Sequence, residues 1–372
     1  MSVTLKDIAQ RAGVDATVVS AVLRGSSRVR CSQKTKEKIL ALVEKMGYCR
    51  NSVASALRSG KTRLIGVAMP SPMLPFYAAM MTSIQALLFK AGYTAVFGLW
   101  GMEHSMKETF SSLLTLKVDG IITWELPDHP EKLDIPAVYF SPGRKSELLD
   151  TVMIDVENTA ARAVEFLKAR HFRKVGIIAN LKDSRSLALK ELCGNCGILI
   201  RPEWMFQCIN ADADTAERIS EVFSNLKEKP ELLVFTDDKV CADSACALKR
   251  HGVLPELLCF RNSYLLPLIG QKMTAFDMHE ETIAAALVEL LLSRLADPSI
   301  PARSRKIEAD LINISIIHER KQENGEKKME KPVERQYITV TEAGKIPASQ
   351  QVRYDKDSTR QGKKSTPKAE IF

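Results

Sequence analysis

From residue 64 onward the chain alternates short apolar runs with amphipathic stretches of helical period, and this alternation limits its folds more than any other feature. The runs are Leu64 to Met69, Thr94 to Leu99, Gly120 to Trp124, Ala137 to Phe140, Val175 to Ala179, Leu232 to Phe235 and Leu257 to Phe260. Between them lie helical stretches near 76–91, 105–116, 157–170, 213–228, 239–251 and 280–296. Strands covered on both faces read as continuous apolar runs, and the helices between them supply the crossovers of a parallel sheet. A run of about 250 residues exceeds one ordinary domain. Two doubly wound lobes are therefore expected, with any ligand held between them at the carboxyl ends of the strands.

The first 63 residues lack that rhythm and carry a different charge. They hold 13 Lys/Arg against 4 Asp/Glu (+9), residues 64–318 hold 27 against 32 (−5), and residues 319–372 hold 13 against 9 (+4), which recovers the net +8 of the whole chain. A basic head on a slightly acidic body is the layout of a phosphate-meeting module attached to one that does not meet phosphate.

Local signals in the head predict short helices. Thr4 is an N-cap with Asp7 three residues on, and Leu5, Ile8, Ala9 and Ala12 form one stripe that Gly13 ends. Asp15 caps a second helix whose buried side is Val18, Val19, Val22 and Leu23, leaving Ala16, Thr17, Ser20, Ala21 and Arg24 outward. Two short helices joined by a tight glycine turn make a helix-turn-helix, whose second helix enters the major groove. An ordinary helical hairpin is the alternative. A third helix over Ser32 to Met46, with Ile39, Leu40, Val43 and Met46 inward and Gly47 at its end, closes the small core. Asn51 then caps a very short helix through Leu57, ended by Gly60 and too short to be stable alone. An apolar residue such as Leu57 in a basic linker suits a minor-groove wedge, or else packs on the protein itself.

The stretches TLKDIAQRAGVDATVVSAVLRG, KTKEKILALVEKMGY and NSVASALRSGKTRLIGV resemble the headpiece and hinge of the LacI/GalR family of bacterial transcription regulators, continuously over about the first 67 residues. The resemblance implies a dimer whose recognition helices read the half-sites of a palindromic double-stranded operator while paired hinge helices enter the minor groove. It places Thr4, Lys6, Ala16, Thr17, Ser20, Ala21, Arg24, Arg28, Thr35, Asn51, Ala54 and Leu57 at the DNA, with Ala16, Thr17 and Ala21 on base-reading sites, Ser20 and Thr35 beside phosphates and Leu57 as wedge.

More weakly, LPFYAAMMTSIQALLFKAGY, LKVDGIITW, IDVENTAARAVEFLKARHFRKVGII and VFTDDKVCADSACALKRHGV resemble the same family's periplasmic-binding-protein-like effector domain. The resemblance implies Phe76, Arg185, Asp238 and Arg261 as effector-contacting positions. Read without it, Phe76 also suits a core, Arg185 a solvated surface and Asp238 a helix cap. The chain departs from the pattern at Ala188-Leu189, Asp243 and CFRN, Cys259 to Asn262. Arg261 stands where an acid often bonds a sugar hydroxyl, which shifts the expected effector toward a phosphosugar or sugar acid, and equally raises the possibility of a cleft that binds nothing.

Residues 319–372 are polar and charged and are expected to be disordered, with YITVTEAG able to form a strand on a partner edge. Eight scattered cysteines point to reduced thiols, and Cys193-Gly-Asn-Cys196 lacks the second pair a zinc site needs. The charged N-terminus and the lack of an eighteen-residue apolar run suggest a cytoplasmic chain with no membrane contact. No catalytic motif, cofactor site or metal site stands out.

The expected architecture is thus a multi-domain chain: an all-α headpiece over 1–48, a hinge and linker over 49–62, a two-lobed α/β effector and dimerisation domain over 63–318 and a charged tail over 319–372. The expected function is a sequence-specific DNA-binding transcriptional regulator, a repressor, working as a homodimer with a small carbohydrate-like effector in the interlobe cleft. A regulator without an effector and a cytoplasmic solute-binding protein are the alternatives.

Overall fold

The computed structural model describes residues 3–23, 31–48, 56, 60–71, 74–101, 104–141, 143, 145–208, 213–253, 255–314 and 336–337. The chain separates into two compact units, Met1–Arg63 and Leu64–Phe372.

In the first unit α1 spans Leu5–Ala12, α2 Ala16–Leu23 and α3 Gln33–Lys45. The Thr4 and Asp7 side chains each accept from the other's backbone N–H, the reciprocal cap that the spacing predicts. Gly13 ends α1 in the left-handed region at φ 71°, where a side chain would be strained. Asp15 caps α2 by accepting from the Thr17 N–H at 2.7 Å. Ile8, Ala9, Ala12, Val19 and Ile39 form the core, with Val18, Val22 and Leu23 packed against it. Lys38 of α3 donates to the Ala12 carbonyl at the end of α1, satisfying an orphan acceptor there.

The second unit holds two sheets. In the first lobe, β1 (Leu64–Pro70), β2 (Thr94–Trp100), β3 (Gly120–Thr123), β4 (Ala137–Ser141), β5 (Asp150–Ile154) and β11 (Ser304–Ile307) lie in the order β11-β5-β4-β3-β1-β2. The helices α4 (Pro75–Lys90), α5 (Met106–Thr115) and α10 (Glu280–Ala296) cover it. In the second lobe, β6 (Val175–Ala179), β7 (Met205–Gln207), β8 (Leu232–Phe235), β9 (Glu256–Cys259), β10 (Met273–Asp277), β12 (Asp310–Ile314) and β13 (Gln336–Tyr337) lie in the order β13-β12-β10-β9-β8-β6-β7. Its helices are α6 (Val156–Ala169), α7 (Ser184–Asn195), α8 (Ala213–Ser224) and α9 (Asp238–Arg250). The inner strands β3, β4, β6 and β8 are parallel to both neighbours and fully buried, as their unbroken apolar runs require, whereas β12 runs antiparallel to β10 and β13.

The chain passes between the lobes at β5 to α6, β10 to α10 and β11 to β12. These passages are tied together: Arg162 of α6 donates to the Ala309 carbonyl and pairs with Asp310, while His279 Nε2 lies 3.0 Å from Asp310 Oδ2. His279 sits at φ 54°, a strained backbone for a residue with a side chain, where the chain turns from β10 into α10. Within the first lobe, buried Asp150, at the start of β5, accepts from Arg294 Nε at 2.9 Å and from the Arg303 backbone N–H at 2.7 Å, fastening the segment before β11 to β5.

In the tail, β13 pairs antiparallel with β12, so part of YITVTEAG finds an edge, although only through its first residue, Tyr337. No helix among the described residues is long and apolar enough to cross a membrane.

Candidate nucleic-acid interface and interlobe cleft

The second helix of the head decides what it can read. Thr17 is exposed and Ala16 and Ser20 are half-exposed, as expected of an outward face. Ala21 is not: at 2% exposure its methyl is covered, which corrects its expected outward position. An alanine methyl barely clears the backbone, so longer neighbours shield it even on the outer side of a short helix. The Thr17 hydroxyl donates to Asp15 Oδ1 at 2.6 Å, so its single proton is already committed within the cap. That bond, with the Thr17 N–H, holds the Asp15 carboxyl below its ordinary range.

A second group of donors opens α3. Ser32 is its N-cap, its hydroxyl accepting from the Thr35 N–H at 3.1 Å and lying 2.8 Å from the Thr35 hydroxyl. The free N–H groups and positive dipole end of a helix, beside exposed Lys34 and Lys36, make an anion-binding surface. Thr4 and Lys6 are exposed at the start of α1. The expected contacts Arg24, Arg28, Asn51, Ala54 and Leu57 lie outside the described residues, as do most of the hinge and tail. Ala56 is helical, and Gly60, at φ 68°, donates to its carbonyl at 2.8 Å, in agreement with a helix that Gly60 ends.

The interlobe cleft gathers Phe76, Arg185, Asp238 and Arg261 at the carboxyl ends of the strands, where a doubly wound fold places ligands. Phe76, just inside α4, is buried and stands edge-on to Tyr77 at 5.4 Å. Across the cleft, the Arg261 guanidinium lies over the Phe76 ring at 4.7 Å and the Tyr77 ring at 5.8 Å. Arg261 Nη1 is 3.2 Å from Asp237 Oδ2 and 3.9 Å from Asp238 Oδ1. Asp237 is the N-cap of α9, accepting from the Lys239 and Val240 N–H groups. Asp238 is wholly buried, and burial pushes its pKa up against the pull of Arg261 and of a hydrogen bond from Ser263. Arg185 donates to the Thr236 carbonyl at 2.8 Å and to Asp183 Oδ2 at 2.7 Å.

Sequence reading thus found four side chains of this cleft and missed Tyr77, Trp124, Asp183 and Asp237. The signal for Asp237 is legible afterwards, since of two successive acids before a helical period the first is the cap. Cys193 is buried, and burial pushes its thiol up to about 12, so Cys193 stays a thiol near neutral pH. Among the described residues, no group of His, Cys, Asp and Glu could hold a metal ion.

Comparison with known proteins agrees with this division. Residues 4–51 match the lacI family of bacterial regulatory proteins, and residues 164–313 match a periplasmic binding protein-like domain. The chain is 26% identical over 321 residues to the HTH-type transcriptional regulator PtxS of Pseudomonas plecoglossicida, covering 83% of this chain and 94% of that protein. It is 22% identical over 330 residues to the HTH-type transcriptional repressor PurR of Photobacterium profundum, covering 83% and 97%. In fold it is similar to the lac repressor dimer bound to operator and the anti-inducer ONPF, with a TM-score of 0.70 at 19% identity over 84% of this chain and 98% of that one. A basic helix-turn-helix head joined to a two-lobed binding-protein body, in a chain similar over most of its length to transcriptional regulators and carrying a lacI-family head, supports a DNA-binding transcriptional regulator.

Proposed function

We propose that this regulator is a repressor that binds a two-fold symmetric operator as a homodimer and is controlled from its interlobe cleft. The observation that carries the DNA reading is the pairing of exposed Thr17 and half-exposed Ala16 and Ser20 on α2 with the hydroxyl-capped, lysine-flanked N-terminus of α3. The first suits base edges and the second phosphates. Ala16 presents a methyl and Thr17 a hydroxyl already engaged by Asp15, so these positions favour thymine methyl contacts over bidentate hydrogen bonds. Specificity then leans on Arg24, Arg28, the Leu57 wedge with Asn51 and Ala54, and the deformability of the DNA. Dimerisation is supported by β2, an edge strand whose residues after Thr94 stay half-exposed, beside exposed Phe89.

For the cleft, a phosphosugar or sugar acid would have to separate Arg261 from Asp237 before using its charge. That prior pairing, 3.2 Å from Arg261 Nη1 to Asp237 Oδ2, speaks against a free acid or neutral sugar as the group that acts on this cleft. The test is a mobility shift titrated with salt on duplexes carrying one or two half-sites. The expected result is a complex of two chains on the paired half-sites, weakening steeply with salt. One chain per duplex irrespective of half-site number would overturn the dimeric reading.

A further inference from the structure

Arg261 occupies the cleft as a ligand would. It belongs to the second lobe, is 8% exposed, and reaches the first lobe with its charged end, over the rings of Phe76 and Tyr77. On its own side it meets Asp237 and Asp238. A desolvated arginine is costly unless its surroundings are built for it, and here they are: carboxylate on one side, ring faces on the other. The aromatic wall continues from Phe76 to Phe140 at 6.2 Å and from Phe140 to Trp124 at 5.4 Å. One buried group of this wall is left over among the described residues: Nε1 of Trp124 has no hydrogen-bond partner. A buried orphan of this kind costs free energy, while Asp238, wholly buried beside Arg261, adds a second carboxylate to the floor.

We propose that the cleft is a guanidinium site that the chain fills in cis, the Arg261 head group acting as an internal ligand that ties the two lobes, and that guanidinium compounds are the small molecules that compete for its place. The proposal rests on the reading of the cleft as the control site and names its ligand class. A planar fork of N–H donors matches a carboxylate edge-on while its face stacks on an aromatic ring, a combination that neither a sugar hydroxyl nor a spherical ammonium reproduces. Because Arg261 is tethered, its effective concentration at the site is in the millimolar range or above, so a free competitor acts on the parent chain only beyond that level. Removing the tethered group opens the same place to a free ion.

The full chain with Arg261→Ala is the test, with methylguanidinium chloride as the probe and sodium chloride and tetramethylammonium chloride at equal concentration as controls. Two quantities are read: the thermal midpoint, and affinity for DNA that the parent chain selects from a random pool. The variant is expected to melt below the parent and to bind that DNA roughly tenfold more weakly, with millimolar methylguanidinium restoring most of both losses and neither control salt doing so. An unchanged midpoint and affinity, restoration by all three salts alike, or restoration by none would overturn the internal-ligand role. If the alanine variant lacks a cooperative transition, Arg261→Met, which keeps the apolar stem, replaces it in the same arms. If the parent selects no DNA, the DNA-binding reading fails, and the thermal arm still decides the guanidinium site on its own.

Discussion

Asp150 is a carboxylate with no exposed surface, and it persists because its partners arrive from far along the chain. Arg294 and Arg303 reach it from 144 and 153 residues away. Burial by itself would raise its pKa, but the hydrogen bonds from Arg303 and Arg294 outweigh burial and hold it below the ordinary range. A depressed folded pKa contributes stability that is present above the unfolded value of about 4 and is lost as pH falls through the folded value. Denaturation midpoints measured from neutral pH down to below pH 4 should therefore fall with a slope that Asp150→Asn makes shallower; an unaltered slope would contradict this. Asp150→Ala leaves two arginines at a buried acceptor site, and unfolding free energy should drop by about 3 kcal/mol, the lower end for a broken buried pair because Arg303 keeps access to water. Nothing in the sequence announces this cluster, since its members, all of the first lobe, come from segments far apart in the chain. Phe76, Arg185, Asp238 and Arg261 were legible through resemblance, but their pairing was not. That Arg261 would be consumed by Asp237 and Phe76 depends on a contact across two lobes, which no local pattern encodes.

At the scale of elements, signals that act over three or four residues were readable. The Thr4 and Asp7 cap, the Gly13 stop and the Asp15 cap all form where spacing places them. Gly13 shows why: at φ 71° its position has open space around a would-be Cβ, so only backbone strain excludes other residues. Gly13→Ala should cost the headpiece about 1 kcal/mol, read as lowered hydrogen-exchange protection in α1 and α2, and no loss would remove the strain argument. Elements whose burial depends on distant partners were not readable. The strands β5, β7, β10, β11 and β12 and the helix α7 were missed. The sequence of β11, SRKI, is exposed and half-buried by turns and becomes a strand only by pairing with β5. Ala21 erred in the other direction, since the helical wheel gives direction but not how far neighbours reach. The hinge reading rests on shortness alone, since a helix too short to stand by itself is expected to order only when held, and Leu57 lies outside the described residues. Leu57→Ala should weaken operator binding by tenfold or more while leaving non-specific binding nearly intact, measured by competition against random duplex. Equal affinity of variant and parent for the operator would end the wedge reading.

For the whole molecule, the two sheets share one winding, and each lobe offers the other the carboxyl ends of its strands. The lobes are joined at crossings pinned by His279, Arg162 and Asp310, so a change at the cleft has a small set of backbone segments through which to act. This arrangement was legible from the alternation of apolar runs and helical periods, because that alternation is a property of the whole chain and tolerates errors in single elements. The split of charge between a +9 head and a −5 body was legible for the same reason, and it assigns the phosphate-binding work to the head. The most direct measurement of the central claim is selection of bound sequences from random duplex DNA by the purified chain, followed by the salt dependence of the selected complex. The account expects enrichment of one sequence with two-fold symmetry and an affinity that falls linearly, on logarithmic axes, as salt rises. A pool that stays random after repeated selection, with no salt-dependent binding to any duplex, would contradict it.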